Sequence, residues 1–185
     1  MKTYVLTVSR YFPKTHKRAG EPTHFVEKLL VGQYDKNKDF YLQDTNADFD
    51  REIFFECRNP KIHTIRQNVE LWKKRISEIQ KGNAILSIRY WSGKPYNSKQ
   101  VEICQLDKDS GIGIQTVYFD TVRLCERKET PLTAVVYEPF KYKFNPHLSD
   151  LAKNDGLSVE DFQDWFKRPS LLGDFAIIHF TSFRY

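Results

Sequence analysis

The segment "RNPKIHTIRQN", residues 58–68, sets Lys61, His63, Thr64 and Arg66 side by side just after a turn-forming Asn59-Pro60 pair. These residue types can do chemistry together. A lysine amine whose proton affinity is lowered by burial or by a neighbouring cation can act as a base toward a threonine hydroxyl. A carboxylate nearby would position a water or shuttle the proton. Arg66 offers a fork of donors for a phosphate or a carbonyl, and His63 beside two cations has the make-up for general acid–base cleavage of RNA. On an ideal strand Lys61, His63 and Ile65 face one way and Ile62, Thr64 and Arg66 the other. Lys61 and Thr64 therefore share a pocket only if the backbone bends between them, or if Lys61 still belongs to the Pro60 turn. An edge strand with outward polar side chains would use the same letters.

The elements that must hold this segment follow from its flanks. "TYVLTVS" (3–9) alternates as a first strand. A basic loop spans 10–22, and "THFVEKLLVG" predicts a short helix with Thr23 as its cap and Gly32 as its stop. Residues 33–58 are polar and acidic and read as an insertion, although "EIFFEC" inside it has the look of a strand. After "KIHTIR", Val69, Trp72, Ile76 and Ile79 recur at helical spacing between Asn68 as cap and Gly82 as stop. "NAILSIRYW" and "QVEICQL" predict a hairpin over 83–106, and "TVYFDTVRLCE" and "PLTAVVYE" two further strands. A loop through Pro139 and Pro146 follows. Ser158 and Asp161 form a capping signature ahead of "VEDFQDWF", and "DFAIIHFTSF" suits a central strand. Strands and helices in this mixed order are not the strict alternation of a parallel sheet. The pattern predicts a mixed α/β fold, one domain over 1–185, built as a small, largely antiparallel barrel with short helices at its openings.

Composition narrows the function classes. The apolar fraction of 40% supports a real core, so wholesale disorder is excluded. No apolar run is long enough to span a bilayer, and "MKTYVLTVSRYF" lacks the apolar stretch of a secretory signal. The expectation is a cytoplasmic chain without membrane contact. Cys57, Cys104 and Cys125 are widely spaced, and the five histidines do not group, so neither a disulfide framework nor a metal site is expected. The net charge of +5 is modest. Its distribution is more telling: "RYFPKTHKR" (10–18) and "RYWSGKPYNSK" (89–99) interleave cations with rings. Rings that stack bases and cations that neutralise phosphates are what a single-strand surface requires. Arg89, Tyr90, Trp91, Lys94 and Tyr96 are therefore candidate ligand contacts, with only one of the adjacent Tyr90 and Trp91 able to face a groove.

"KIHTIR", preceded by the helix "FVEKLLVG", resembles the signature of the activating-signal-cointegrator homology (ASCH) domains of the PUA-like superfamily. Those domains carry a helix ending in Gly, then a Lys-x-x-Thr-x-Arg-like strand, then a Gly-containing segment leading into a hairpin. "LAKNDGLSVEDF" (151–162) resembles the family's stretch of Ala, a carboxylate and a short helix start, and "FAIIHF" its last strand. Here the insertion at 33–58 separates Gly32 from Lys61, whereas small members join the two directly. The resemblance implies a PUA-like antiparallel barrel that binds RNA or a modified nucleoside between barrel and helix, without a cofactor. Lys61 and Arg66 would contact phosphates, and His63 lies between them. One bacterial branch hydrolyses acetylcytidine with a Lys, a Thr and a Glu. Lys61 and Thr64 stand at the matching positions, and Asp155 stands where that branch has its Glu, one methylene shorter. The alternative functions are thus a small amidohydrolase or a ribonuclease.

Overall fold

The structure, a computed structural model, describes residues 1–36, 45–121, 132–137, 146–166 and 173–185. Cys125 and Pro139 lie outside them. In chain order the elements are β1 (Lys2–Thr7), α1 (Phe25–Lys36), α2 (Arg51–Glu56), β2 (His63–Arg66), α3 (Val69–Gln80), β3 (Ala84–Trp91) and β4 (Gln100–Leu106). A short 3-10 turn (Lys108–Ser110) leads to β5 (Gly113–Thr121), β6 (Leu132–Tyr137), α4 (Leu148–Asn154), α5 (Val159–Phe166) and β7 (Gly173–His179).

The strands form two sheets, β1-β3-β4 and β2-β7-β5-β6. The second is antiparallel throughout, whereas β1 runs parallel to β3. The fold is mixed α/β, as expected, but no closed barrel joins the two sheets among the described residues. The "AIIHF" strand occupies the centre of its sheet because both of its faces are apolar, which leaves no side for water. The hairpin of β3 and β4 is antiparallel, with a register shift at Ile88/Arg89.

Helix α3 forms where its pattern predicts. Asn68, in the left-handed region at φ 63°, accepts the Leu71 N–H, and Trp72, Ile76 and Ile79 are buried as one stripe. Ser158 caps α5 through the Asp161 N–H at 3.1 Å, which buries Phe162 and Phe166 against Phe119. Two local expectations are corrected. "EIFFEC" is helical rather than extended, because Asp50 accepts the Ile53 N–H and starts a helical turn that buries only Phe54. Gly32 does not stop α1, which continues to Lys36. A Cβ at Gly32 would stand 2.9 Å from the Lys61 carbonyl, so this glycine serves close packing of helix against strand. The described part of the predicted insertion packs on the body of the fold: Thr45 Oγ1 donates to the Ile103 carbonyl, and Tyr90 Oη accepts the Asp48 N–H.

Candidate functional site

The start of the "KIHTIR" strand is clamped between two helices. The Lys61 N–H donates to the Lys28 carbonyl of α1, and the Ile62 N–H donates to the Asn154 carbonyl at the end of α4. The next residue, Asp155, caps α4, and Gly156 then turns at φ 78°. A side chain at Gly156 would be strained by that backbone and would also crowd Lys61 Cβ, 3.2 Å from its own Cβ. These contacts bring Lys61 and Asp155 together from 94 residues apart in sequence.

Lys61 Nζ donates to Asp155 Oδ1 at 2.7 Å and to the Asp155 carbonyl at 2.6 Å, and it lies 4.1 Å from the centroid of the Phe25 ring. Lys61 is 1% exposed and Asp155 5%. Burial lowers the Lys61 pKa to about 8, with the Asp155 charge and hydrogen bond opposing the shift. Burial raises that of Asp155, against the pull of Lys61. The amine therefore crosses between its charged and neutral forms in the physiological range.

His63 points to the same side of β2, with Nδ1 3.7 Å from Asp155 Oδ1. Its Nε2 lies 2.8 Å from Tyr185 Oη, which accepts from Asn154 Nδ2 and donates to the Asp150 carbonyl. His63 Nδ1 is buried without a hydrogen-bond partner. His179, the cross-strand neighbour of His63, has both ring nitrogens buried and unpartnered. Burial holds both rings neutral: it pushes His63 well below its ordinary value and His179 to about 3.

Thr64 is 2% exposed and, by strand alternation, lies on the other face from His63. No hydrogen bond joins it to Lys61 or Asp155 among the described residues. Arg66 follows the Thr64 face toward the first sheet, donating to the carbonyls of Thr7 at 2.7 Å and Ile65 at 3.1 Å. Of the sequence-predicted triad, Lys61 and Asp155 are bonded to each other, and Arg66, on the Thr64 face, lies near enough for its charge to act on both. Comparison with known protein families, curated proteins and solved structures returns no match.

A cleft of about 270 Å³ is lined in part by Arg18, Thr23, Lys28, Asn59 and Gly156, and neither Lys61 nor Asp155 opens into it. Lys28 Nζ donates to the Gly156 carbonyl at 2.7 Å and to the Thr23 carbonyl at 3.1 Å, and burial lowers its pKa. The basic loop is less available than its letters suggest. Arg18 is bound to Asp161 and Glu21, Lys17 sits 3.8 Å from Asp161, and His16 is buried against Phe12 with Nε2 3.0 Å from the Asp161 carbonyl.

The hairpin residues are arranged differently. Tyr90 is 1% exposed and belongs to the core, so of the adjacent pair it is Trp91 that faces outward. Arg89 is on the Trp91 side of β3, held by Ser87 and facing Glu102. The Trp91 and Tyr96 rings lie 5.3 Å apart, and Tyr96 is 88% exposed with φ 65°. Lys94 is exposed on the same turn.

Sequence reasoning missed His179, Lys28 and Tyr185. His179 carried a signal, as the lone polar residue within "FAIIHF". Tyr185 and Lys28 carried none, since only the fold brings them to Asn154 and Gly156. No group of three metal-ligating side chains occurs among the described residues, and no helix there is long and apolar enough to cross a membrane.

Proposed function

We propose that this chain is an ASCH-like, PUA-like module that binds single-stranded RNA or a modified nucleoside. The observation that carries the reading is the outward ring pair of Trp91 and Tyr96 on the hairpin, with Arg89 two residues along the same strand face and Lys94 on the turn. The exposed Tyr96 ring, backed by the half-buried Trp91, serves base stacking, and Lys94 beside it serves the phosphates. The family resemblance is supported by motif packing: the helix before "KIHTIR" presses Gly32 onto the Lys61 carbonyl, and the "KNDG" carboxylate meets Lys61. In this reading the buried Lys61–Asp155 pair is structural, holding the start of β2 against the end of α4 beneath the Lys28 and Gly156 lining of the cleft.

The test is titration of the protein with fluorescent single-stranded RNA at two salt concentrations. Affinity falls steeply with salt if phosphates are contacted, and Tyr96→Ala weakens it by about 1–3 kcal/mol. No binding at the lower salt defeats the proposal.

A second reading, hydrolysis of an acylated nucleoside, is favoured by one observation, the contact of Asp155 with a lysine whose pKa falls to about 8. It requires Thr64 to come round to that pair. Deacetylation of acetylcytidine by the protein, abolished by Thr64→Ala, is its expected outcome. Absence of turnover, or full activity in the variant, removes it.

A further inference from the structure

A second cleft, of about 360 Å³, lies between the basic loop, the start of α1 and the segment entering α2. Of the segments singled out by sequence, only the basic loop reaches it, through Arg10 and Tyr11. Glu27, 7% exposed, is one of its lining residues. One carboxylate oxygen accepts the Asp50 N–H at 3.1 Å, and no cation lies within ion-pair distance of it among the described residues. That donor engages one of the two oxygens, which leaves acceptor capacity for an added N–H donor from the cleft.

The rest of the lining complements such a donor. Tyr11, 53% exposed, and the half-buried Phe49 and His24 offer ring faces. Arg10 also lines the cleft, its guanidinium 5.1 Å from the centroid of the Tyr90 ring. No carboxylate is within ion-pair distance of Arg10 among the described residues. Asp48 and Asp50 belong to the α2 side, and the Asp50 side chain is engaged by the Ile53 N–H. The cleft therefore has a cationic side, an acidic side and aromatic rings, with the Glu27 carboxylate in its lining.

We infer that this cleft is a nucleotide pocket selective for a base that carries an exocyclic amine. The amine donates to Glu27, the ring faces cover the base, and Arg10 meets the phosphate. An oxo base of the same size turns a carbonyl toward the Glu27 carboxylate, and two acceptors that face each other repel. The inference rests on the nucleic-acid reading above and adds to it what is recognised and where. Tyr90 connects the two places, since its ring supports Arg10, its hydroxyl accepts the Asp48 N–H, and Trp91 follows it on β3.

The experiment is calorimetric titration of the full chain with the 5′-monophosphates of cytidine, adenosine and uridine. The expected result is that the cytidine and adenosine nucleotides bind about tenfold or more tightly than the uridine nucleotide. Glu27→Gln, which keeps an acceptor for Asp50, brings the cytidine-to-uridine ratio toward one. Arg10→Ala weakens cytidine monophosphate while leaving cytidine itself unchanged. Equal binding of the three, a preference that survives Glu27→Gln, or no binding of any of them overturns the inference. The two proposals fail separately. A protein that binds RNA through Tyr96 but shows no amino-base preference loses only this pocket, and one with the preference but no RNA affinity loses only the hairpin.

Discussion

Acidification will destabilise this protein through two buried histidines. An unfolded histidine takes up its proton near pH 6.5, whereas folded His179 does so only at about 3. Between those values the unfolded state binds more protons, so stability falls as pH falls, by about 1.4 kcal/mol per pH unit for one ring. Integrated from pH 7 to pH 5, His179 alone accounts for a loss of about 2 kcal/mol. His63 acts in the same direction, because burial and then the charges of His179 and Lys61 depress its pKa. Asp155 acts in the opposite direction, since its raised pKa stabilises the fold as it protonates. Comparison with a variant isolates the histidine. His179→Leu keeps the bulk and sacrifices no hydrogen bond, because neither ring nitrogen has a partner. Urea unfolding followed by tryptophan fluorescence at pH 7, 6 and 5 should show the native protein losing about 2 kcal/mol more than the leucine variant across that range. Parallel pH profiles would refute the argument, since they would mean that the ring is solvated or already paired.

Lys61→Met leaves the Asp155 carboxylate buried without its cation and should destabilise the fold by about 3–5 kcal/mol in chemical denaturation. The double variant with Asp155→Leu should recover most of that loss, and a double variant as unstable as the single would show that the pair was not the cause. Two glycine substitutions should differ in cost for a reason visible in their surroundings. Gly32→Ala drives a methyl into the Lys61 backbone and should cost about 1–3 kcal/mol. Gly93→Ala meets nothing closer than Ser98 Cβ at 3.4 Å, an ordinary contact, and should cost under about 1 kcal/mol. Equal effects in thermal melts would contradict this contrast.

The sequence was most legible where one local rule acted alone. Helix α3 has its cap, its buried stripe and its terminating Gly82 all in agreement, and the β3–β4 hairpin pairs where its two β-rich runs predict, apart from the register shift at Ile88/Arg89. The short "EIFFEC" run was ambiguous by nature: its apolar residues fit either period, and the Asp50 cap decided for helix. Gly32 looked like a stop because its actual role, contact with a carbonyl far along the chain, leaves no mark nearby. At the site, the contact of Lys61 with Asp155 was suggested by resemblance, while the opposite placement of Thr64 follows from strand alternation. Glu27 could not be found from its letter, because an acid early in a helix is ordinary until the fold closes over it.

The position of β7 has a consequence for how the protein is made. β2 and β5 are both paired to it, so the four-stranded sheet is assembled only after the ribosome has released residues 173–179. Until then a nascent chain carries β2 and the β5–β6 ribbon with unsatisfied edges. Such delayed closure over long sequence separations slows folding and leaves the half-built intermediate open to aggregation. Heterologous production should therefore gain more from slower synthesis at lower temperature than from any change to the finished surface.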